Sequence, residues 1–351
     1  MVRQRRARSW ILHIKNEEGI LIEEPKEIEN RLVNHFMASC EDTDLHSVDY
    51  ILNELQTINI PKLSHQQCID LDRPITTLEI EDTVFQLGPH KSPGPDGIPA
   101  FFYQEYWDIV KIDVINTIQA FFHLGSLFKP LNHTFITLIP KNSFLDDVSH
   151  FRAISLCNVI YTIISKIHVN RLKPYMGNII SPYQNAFIKA RNISDNILIA
   201  HENLDILRKK KGRKNSFGAL KIDMNKAYDR VSWKFLKVVL IAMNFDQKWI
   251  RWIMECMTSV QYTLVVNGSI SKAFKPSMGL RQGDPLSPCL FLICANILFI
   301  SLQKAKNSKL INGVKVGRNG YTFTLLLFVD DSLLFFKKDN KSLANLKGIL
   351  D

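Results

Sequence analysis

The stretch Phe328-Val329-Asp330-Asp331 sits between two apolar runs, Phe323 to Val329 and Leu333 to Phe336. Short runs rich in Phe, Leu and Val read as two buried strands, which puts both aspartates at the turn of a β-hairpin. Asn-Gly or Asp-Gly is the ordinary chemistry of such a turn. Adjacent carboxylates repel each other and are costly to hold beside an apolar sheet unless a cation neutralises them. Taken alone, an exposed polar turn without function reads equally well, so the rest of the chain has to decide.

Upstream, Phe217 to Ile222 has a strand pattern that ends on Asp223. The segment after it, from Met224 to Val231, reads as the start of a helix that includes Trp233, Leu236, Val239 and Leu240. A carboxylate at a strand end beside an Asp-Asp hairpin would complete a three-carboxylate cluster able to hold two Mg²⁺ ions. Magnesium prefers one or two protein carboxylates together with waters and phosphate oxygens. Two such ions about 3.5–4 Å apart suit in-line phosphoryl transfer. Between the two carboxylate segments, Gly279-Leu280-Arg281-Gln282-Gly283-Asp284-Pro285-Leu286-Ser287-Pro288 forms a punctuated loop that runs into a buried helix from about Pro288 to Lys304. There Gly283 permits close backbone approach and Gln282 offers an amide, as a nucleotide packed against a template base would require. A plain helix entry explains the same residues.

The chain has 351 residues, 46% of them hydrophobic, which excludes a disordered protein and suggests two or three lobes. A formal charge of +10 with a pI near 9.2 points to nucleic acid or another anionic surface. The six cysteines, Cys40, Cys68, Cys157, Cys256, Cys289 and Cys294, show no Cys-x-x-Cys and no zinc-finger spacing, and read as reduced core residues of an intracellular protein. The apolar run Cys289 to Leu302 falls short of the ~18 residues a membrane span needs and reads as a buried helix. Arg3, Arg5, Arg6 and Arg8 make the start basic, as in a nuclear signal or an arm lying on nucleic acid. Glu17, Glu18, Glu23 and Glu24 follow too soon for a transit peptide, so the expected location is the nucleus or cytoplasm, with no membrane partner.

In order along the chain, a helix follows Pro25 with Ile28, Leu32, His35 and Phe36 at helical spacing, and a weakly patterned acidic-polar segment comes after it. Thr76 or Thr77 caps a helix that Gly88-Pro89 ends. Lys91 to Pro99 is a stiff turn segment presenting Lys91, and Phe101 to Leu124 is a core helix. His133 to Pro140 alternates as a strand that delivers Lys141, and Phe151-Arg152 opens the next segment. Lys141 and Arg152 could converge on phosphates, a point charge beside a bidentate fork, or be solvated surface charges. Ile154 to Tyr175 reads as strand then helix, with Arg171 and Lys173 complementing the helix dipole; Ile193 to Leu207 is a further helix. The basic run Arg208 to Lys214 reads as a solvated loop that adds to a counterion-releasing surface.

Together these stretches resemble the reverse transcriptase domain of non-LTR (LINE-type) retrotransposons, most closely those of plants. The resemblance spans roughly Ile80 to Lys338. It rests on the Gly-Pro-His-Lys-Ser-Pro-Gly-Pro-Asp-Gly loop, Leu-Ile-Pro-Lys ending at Lys141, and Phe-Arg-Ala-Ile-Ser-Leu-Cys-Asn from Phe151. Ile-Ser-Pro-Tyr-Gln-Asn-Ala-Phe from Ile180, Lys-Ile-Asp-Met-Asn-Lys-Ala-Tyr-Asp-Arg-Val from Lys221, the loop from Gly279 and Phe-Val-Asp-Asp complete it, all in the family's order.

The resemblance implies an α+β fold, the fingers and palm of a right-hand polymerase with an antiparallel palm sheet backed by helices. It divides the chain into an N-terminal basic and helical extension (1–75), fingers with the start of the palm (76–214), and palm (215–351) with a fingers insertion at about 232–278. It also implies RNA-directed DNA polymerase activity, a two-metal nucleotidyl transfer of dNTPs to a primer 3′-hydroxyl, with RNA template, DNA primer and dNTP as partners. Asp223, Asp330 and Asp331 would be the catalytic carboxylates and, with the Met224 carbonyl, the ligands of two Mg²⁺ ions, Mn²⁺ being the alternative metal. Tyr228 matches the gate against a ribose 2′-hydroxyl, Gln282 and Gly283 the motif beside the incoming nucleotide and template, and Lys141 and Arg152 the grip on its triphosphate.

Several positions depart from the family pattern. Ala153 stands where proline is customary, Lys189-Ala190-Arg191 replaces Pro-Gly-Arg and removes a φ-permissive glycine, and Val329 replaces alanine. After Lys338 the chain reads as a polar turn and the first turns of a helix, where the family continues into a primer-gripping hairpin and a thumb; the expectation is therefore a domain truncated before the thumb, with no room for an endonuclease before Ile80. The alternative is a catalytically idle retrotransposon-derived fragment or nucleic-acid-binding module.

Overall fold

The computed structural model describes residues 10–350 except 45, 142–144, 210–216, 225, 316–321, 324 and 329–330. The basic start before Trp10, most of the run Arg208 to Lys214, and Asp330 lie outside the described residues.

The Phe-Val-Asp-Asp stretch belongs to a three-stranded antiparallel sheet in the order β10 (Leu325–Phe328), β11 (Asp331–Lys337), β5 (Phe217–Asp223). Register pairs Phe328 with Asp331, so two residues separate the hairpin strands and Asp331 itself begins β11. Apolar side chains of β10 and β11 are packed on both faces of the sheet, while the edge strand β5 leaves Ala219, Leu220, Lys221 and Asp223 exposed. One face places Leu334 and Phe336 with Leu325 and Ile222 against Phe299 and Leu302 of α11 (Ser287–Asn307) and Leu346 of α12 (Asn340–Leu350). The other sets Phe335, Leu333, Leu326 and Phe217 against Ile199, Ala200, Ile206 and Leu207 of α8 (Ile193–Lys209).

A second sheet runs β4 (Phe151–Cys157), β3 (His133–Pro140), β6 (Gln261–Val266), β7 (Ser269–Ile270), with β3 and β6 parallel. Two short pairs, β1 (Ile14–Lys15) with β2 (Leu21–Ile22) and β8 (Val314–Lys315) with β9 (Thr322–Phe323), complete the described strands. The main core gathers buried side chains between Ile11 and Ile297, from the four-stranded sheet and from α7 (Val159–Ile179), α9 (Trp233–Ala242), α10 (Gln247–Thr258) and α11. Helix α11 is 21 residues long and apolar enough to cross a membrane by length and composition, longer than the apolar run alone suggests; most of its apolar window is buried inside the fold.

The structure corrects the sequence reading at several elements. The acidic-polar segment after α1 (Pro25–Ser39) folds into α2 (Val48–Gln56) and α3 (His65–Asp72), each capped by a serine: Ser47 accepts from the Tyr50 N–H, and Ser64 forms a capping box with Gln67. Helix α4 (Thr77–Phe85) starts at the expected cap, Thr76, but ends before Gly88-Pro89. The expected single helix to Leu124 is two, α5 (Ala100–Glu105) and α6 (Trp107–Leu124), broken at Tyr106. Residues 226–230 are turn rather than helix; α9 begins only at Trp233, where the Ser232 hydroxyl accepts from Phe235 N–H. Helix α7 runs on to Ile179, so Arg171 lies two turns before its end rather than complementing the dipole there. It is buried, paired with Glu79 at 2.8 Å, and donates to the Leu71 and Arg73 carbonyls. The six cysteines are free, with Cys68, Cys256, Cys289 and Cys294 buried.

Candidate active site

Strand β5 ends on Asp223 and β11 begins on Asp331, and these two residues are direct cross-strand partners. Directly opposed residues project from the same face, so two like charges face each other at the sheet's end, an arrangement that by itself destabilises a pairing. Lys221, two residues before Asp223, offsets one of them: its Nζ lies 3.0 Å from Asp331 Oδ1. With side chains 69% and 50% exposed, that ion pair contributes little, on the order of 0–1 kcal/mol. Asp223 is exposed and lines a cleft of about 950 Å³ shared with Met224, with Asp42, His46 and Tyr50, and with Phe291 and Ile297 of α11. Two opposed, hydrated carboxylates with hard oxygen donors suit a magnesium ion. Asp330, the third expected carboxylate, lies outside the described residues.

Met224 also lines a second cleft, of about 520 Å³, and around it stand Lys141, Arg152, Tyr228, Gln282 and Gly283. Five residues expected from separate stretches of sequence thus meet at one cavity beside Asp223. Each is delivered by a distinct element. Lys141 follows β3, its N–H bonded to the His150 carbonyl at 2.8 Å and its ammonium donating to the Ser149 carbonyl. Arg152 is exposed on β4, paired in register with Ile139. Tyr228, in the turn after β5, stacks on Phe291 of α11 at 5.0 Å between ring centroids.

Residues 279–284 thread between that turn and β4. Gly279 (φ +95°) donates to the Val231 carbonyl and Leu280 to that of Tyr228. Ser155 on the free edge of β4 donates to the Gln282 carbonyl at 2.8 Å. Gly283 adopts φ +116°, and a Cβ there would meet the Ser155 oxygen at 2.9 Å, so glycine is required both for conformation and for space. Beyond Gly283 opens a further cavity of about 490 Å³ lined by Lys91 and Lys166, with Lys173 near enough to Lys166 to act with burial and Lys91 in lowering its pKa.

Sequence reasoning missed part of the second cleft. Lys226 and Asp229 line it, as do His35 and Phe36 of α1, from a region to which the sequence assigned no chemistry. Burial first, then the charge of Lys226, holds His35 below its ordinary pKa, and its neutral ring meets Lys226 Nζ at 3.1 Å. Burial raises the Asp229 carboxyl, which accepts from the Gln282 amide and faces Lys226 and Lys141. The signal for Asp229 was its place six residues after Asp223, one position past Tyr228; nothing in α1 beyond His35 beside Phe36 marked that helix. Of the departures from the family pattern, Val329 lies outside the described residues. Ala190 is left-handed at φ +64°, and Arg191 after it donates to the Ser181, Gln184 and Gly177 carbonyls around the end of α7.

Comparison with known proteins agrees with this geometry. The family model described as "Reverse transcriptase (RNA-dependent DNA polymerase)" matches residues 139–351. The chain is 27% identical over 318 residues to the Transposon TX1 uncharacterized 149 kDa protein of Xenopus laevis, covering 91% of this chain and 24% of that protein. It is 28% identical over 244 residues to the retrovirus-related Pol polyprotein from type-2 retrotransposable element R2DM of Drosophila melanogaster, covering 70% and 22%. With the corresponding type-1 element R2 protein of Popillia japonica it shares 26% identity over 269 residues, covering 76% and 35%. The chain therefore spans about a quarter to a third of the length of these relatives. Because the family match takes in more than half of the chain, the chain belongs to the reverse transcriptase (RNA-dependent DNA polymerase) family, and its relatives set it among the non-LTR retrotransposon members.

Proposed function

We propose that this chain is the fingers and palm of an RNA-directed DNA polymerase that adds deoxynucleotides to a DNA primer paired with an RNA template. The observation that carries the reading is the meeting of Lys141, Arg152, Tyr228, Gln282 and Gly283 around one cleft next to the opposed carboxylates Asp223 and Asp331. That convergence favours an enzyme over the idle-module alternative, since solvated surface charges have no reason to share a cavity.

In this reading β10, β11 and β5 are the palm sheet. Asp223 and Asp331, joined by Asp330 and the Met224 carbonyl, would hold Mg²⁺, which supplies charge neutralisation for phosphoryl transfer when bound. The chain's own residues do the rest. Arg152 and Lys141 bind the triphosphate, one as a fork and one as a point charge. The ring of Tyr228, fixed by its stack on Phe291, crowds the sugar and excludes a 2′-hydroxyl. The Gln282 amide and the Gly283 backbone support the base, and the lysine-lined cavity beyond Gly283 takes the template backbone.

Steady-state primer extension on an RNA template with Mg²⁺ tests this. The expected result is dNTP-dependent extension in which Arg152→Ala raises the KM for dNTP at least about tenfold and Tyr228→Val admits ribonucleotides. No extension by the native chain, despite salt-sensitive RNA binding, would contradict it.

A further inference from the structure

We infer that Arg281 and Asp284 are positioning residues for nucleotide binding: a buried charge pair that holds Gln282 and Gly283, the two residues between them, against the nucleotide cleft. The inference rests on the polymerase reading above.

Both side chains are essentially inaccessible, 1% and 0% exposed. Their closest N–O separation is 3.5 Å, and Arg281 Nε makes no hydrogen bond, so the link between them runs through a third group. Tyr161 on α7 supplies it, accepting from Arg281 Nη2 and donating to Asp284 Oδ2 at 2.7 Å, with the guanidinium 3.9 Å above the tyrosine ring. Arg281 also donates to Asn132 Oδ1 at 2.6 Å and the Cys256 carbonyl at 2.7 Å. Asp284 further accepts from the Ser165 hydroxyl and from Leu286 N–H at 3.1 Å. The loop is thus anchored on either side of Gln282-Gly283 to three core elements: the start of β3, α7 and α10.

Stability alone is a weak reason for such a site. A buried ion pair costs desolvation that its attraction barely repays, and a pair of apolar residues of similar volume commonly serves a fold as well. What the pair provides here is location. Arg281 and Asp284 point into the core, so the residues between them must face outward, and the Ser155 hydrogen bond to the Gln282 carbonyl fixes the remaining freedom. The Gln282 side chain is left beside Asp229 and the cleft, and the Gly283 backbone forms the wall between the nucleotide cleft and the lysine-lined cavity. Leu280 N–H holds the Tyr228 carbonyl, so the same anchor reaches the residue that crowds the sugar. An interaction that holds a binding group within a fraction of an ångström of its working place acts on affinity without touching the ligand.

The test is the double variant Arg281→Met with Asp284→Leu, which removes both charges and leaves neither buried charge unpaired. Equilibrium binding of dGTP to the protein on a primer–template offering cytosine next, thermal denaturation and affinity for the primer–template itself are measured together. The expected result is a protein that still folds, with a lowered melting temperature because Tyr161, Asn132, Ser165 and the Cys256 carbonyl lose buried partners, and a primer–template affinity close to wild type, with dGTP affinity at least tenfold weaker and KM raised more than kcat is lowered. Binding of dGTP within twofold of wild type overturns the inference. Should the double variant fail to fold, Asp284→Asn, which keeps the shape of the side chain, gives the same readout under the same criterion. Wild-type protein that binds dGTP while the variants match it sinks this proposal alone. Wild-type protein that does not bind dGTP on primer–template sinks the polymerase reading, and this proposal with it.

Discussion

Two charged pairs stand near the cleft that gathers Lys141, Arg152, Tyr228, Gln282 and Gly283, and they are built in opposite ways. At the end of the β5–β11 ladder, Asp223 and Asp331 are like charges, opposed in register and exposed, with the solvated Lys221 paired to Asp331. In the loop before α11, Arg281 and Asp284 are opposite charges, fully buried and tied to Tyr161, Asn132, Ser165 and main-chain groups. The first arrangement costs the fold a little. The second is tied to the core on several sides, with only Arg281 Nε of its guanidinium left without a hydrogen bond. In the proposed function, the exposed pair serves the chemistry and the hidden pair the scaffold that holds it.

Stability measurements can break this contrast. Arg281→Met alone leaves Asp284 buried without its partner, and denaturant unfolding should show a loss of about 3–5 kcal/mol; a loss below about 1 kcal/mol would mean that the buried pair is not satisfied as described. A partly buried acid shows what lies between the extremes. Burial, with a hydrogen bond shared with Asp246, raises the Asp72 carboxyl to about 7. Between its unfolded value near 3.8 and about 7 the folded chain holds a proton that the unfolded chain releases. Its contribution to stability is therefore full below about pH 4 and lost as pH rises through about 7. Asp72→Asn should abolish that dependence and stabilise the protein at pH 8 by roughly 1–2 kcal/mol after solvent screening, read from melting curves at pH 5 and pH 8. Ala190→Gly, which relieves a left-handed alanine, should add about 1 kcal/mol at either pH. Asp223→Asn comes last: removing one of two opposed like charges should leave stability unchanged or raise it by up to about 0.5 kcal/mol. A large destabilisation there would show that Asp223 serves the fold.

The sequence disclosed the exposed pair better than the buried one, for physical reasons. Strand β5 was visible because Phe217 to Ile222 has a strand pattern that ends on Asp223, and α1 was visible from Ile28, Leu32 and Phe36. Helices α2 and α3 were not, because each buries only a short apolar pair, Ile51 with Leu55 and Cys68 with Leu71; their serine caps were the signal available. The turn at 226–230 was read as helix because nothing in Lys226 announces its φ of +53°, although Ser232 three residues before Phe235 marks the true start of α9. Lys141 and Arg152 were ambiguous as isolated charges, and their shared cleft is a property of tertiary structure. Arg281 and Asp284 drew no reading of their own, since their partners Asn132, Tyr161 and Ser165 lie more than a hundred residues away.

The most direct measurement is primer extension on an RNA template with Mg²⁺, comparing the native chain with Asp223→Asn at matched thermal stability. The expected result is a fall in kcat of at least about a thousandfold with dNTP affinity little changed, as for loss of a group that acts on the reacting atoms. Extension by Asp223→Asn within about tenfold of the native rate would contradict the assignment of the opposed carboxylates as the catalytic centre.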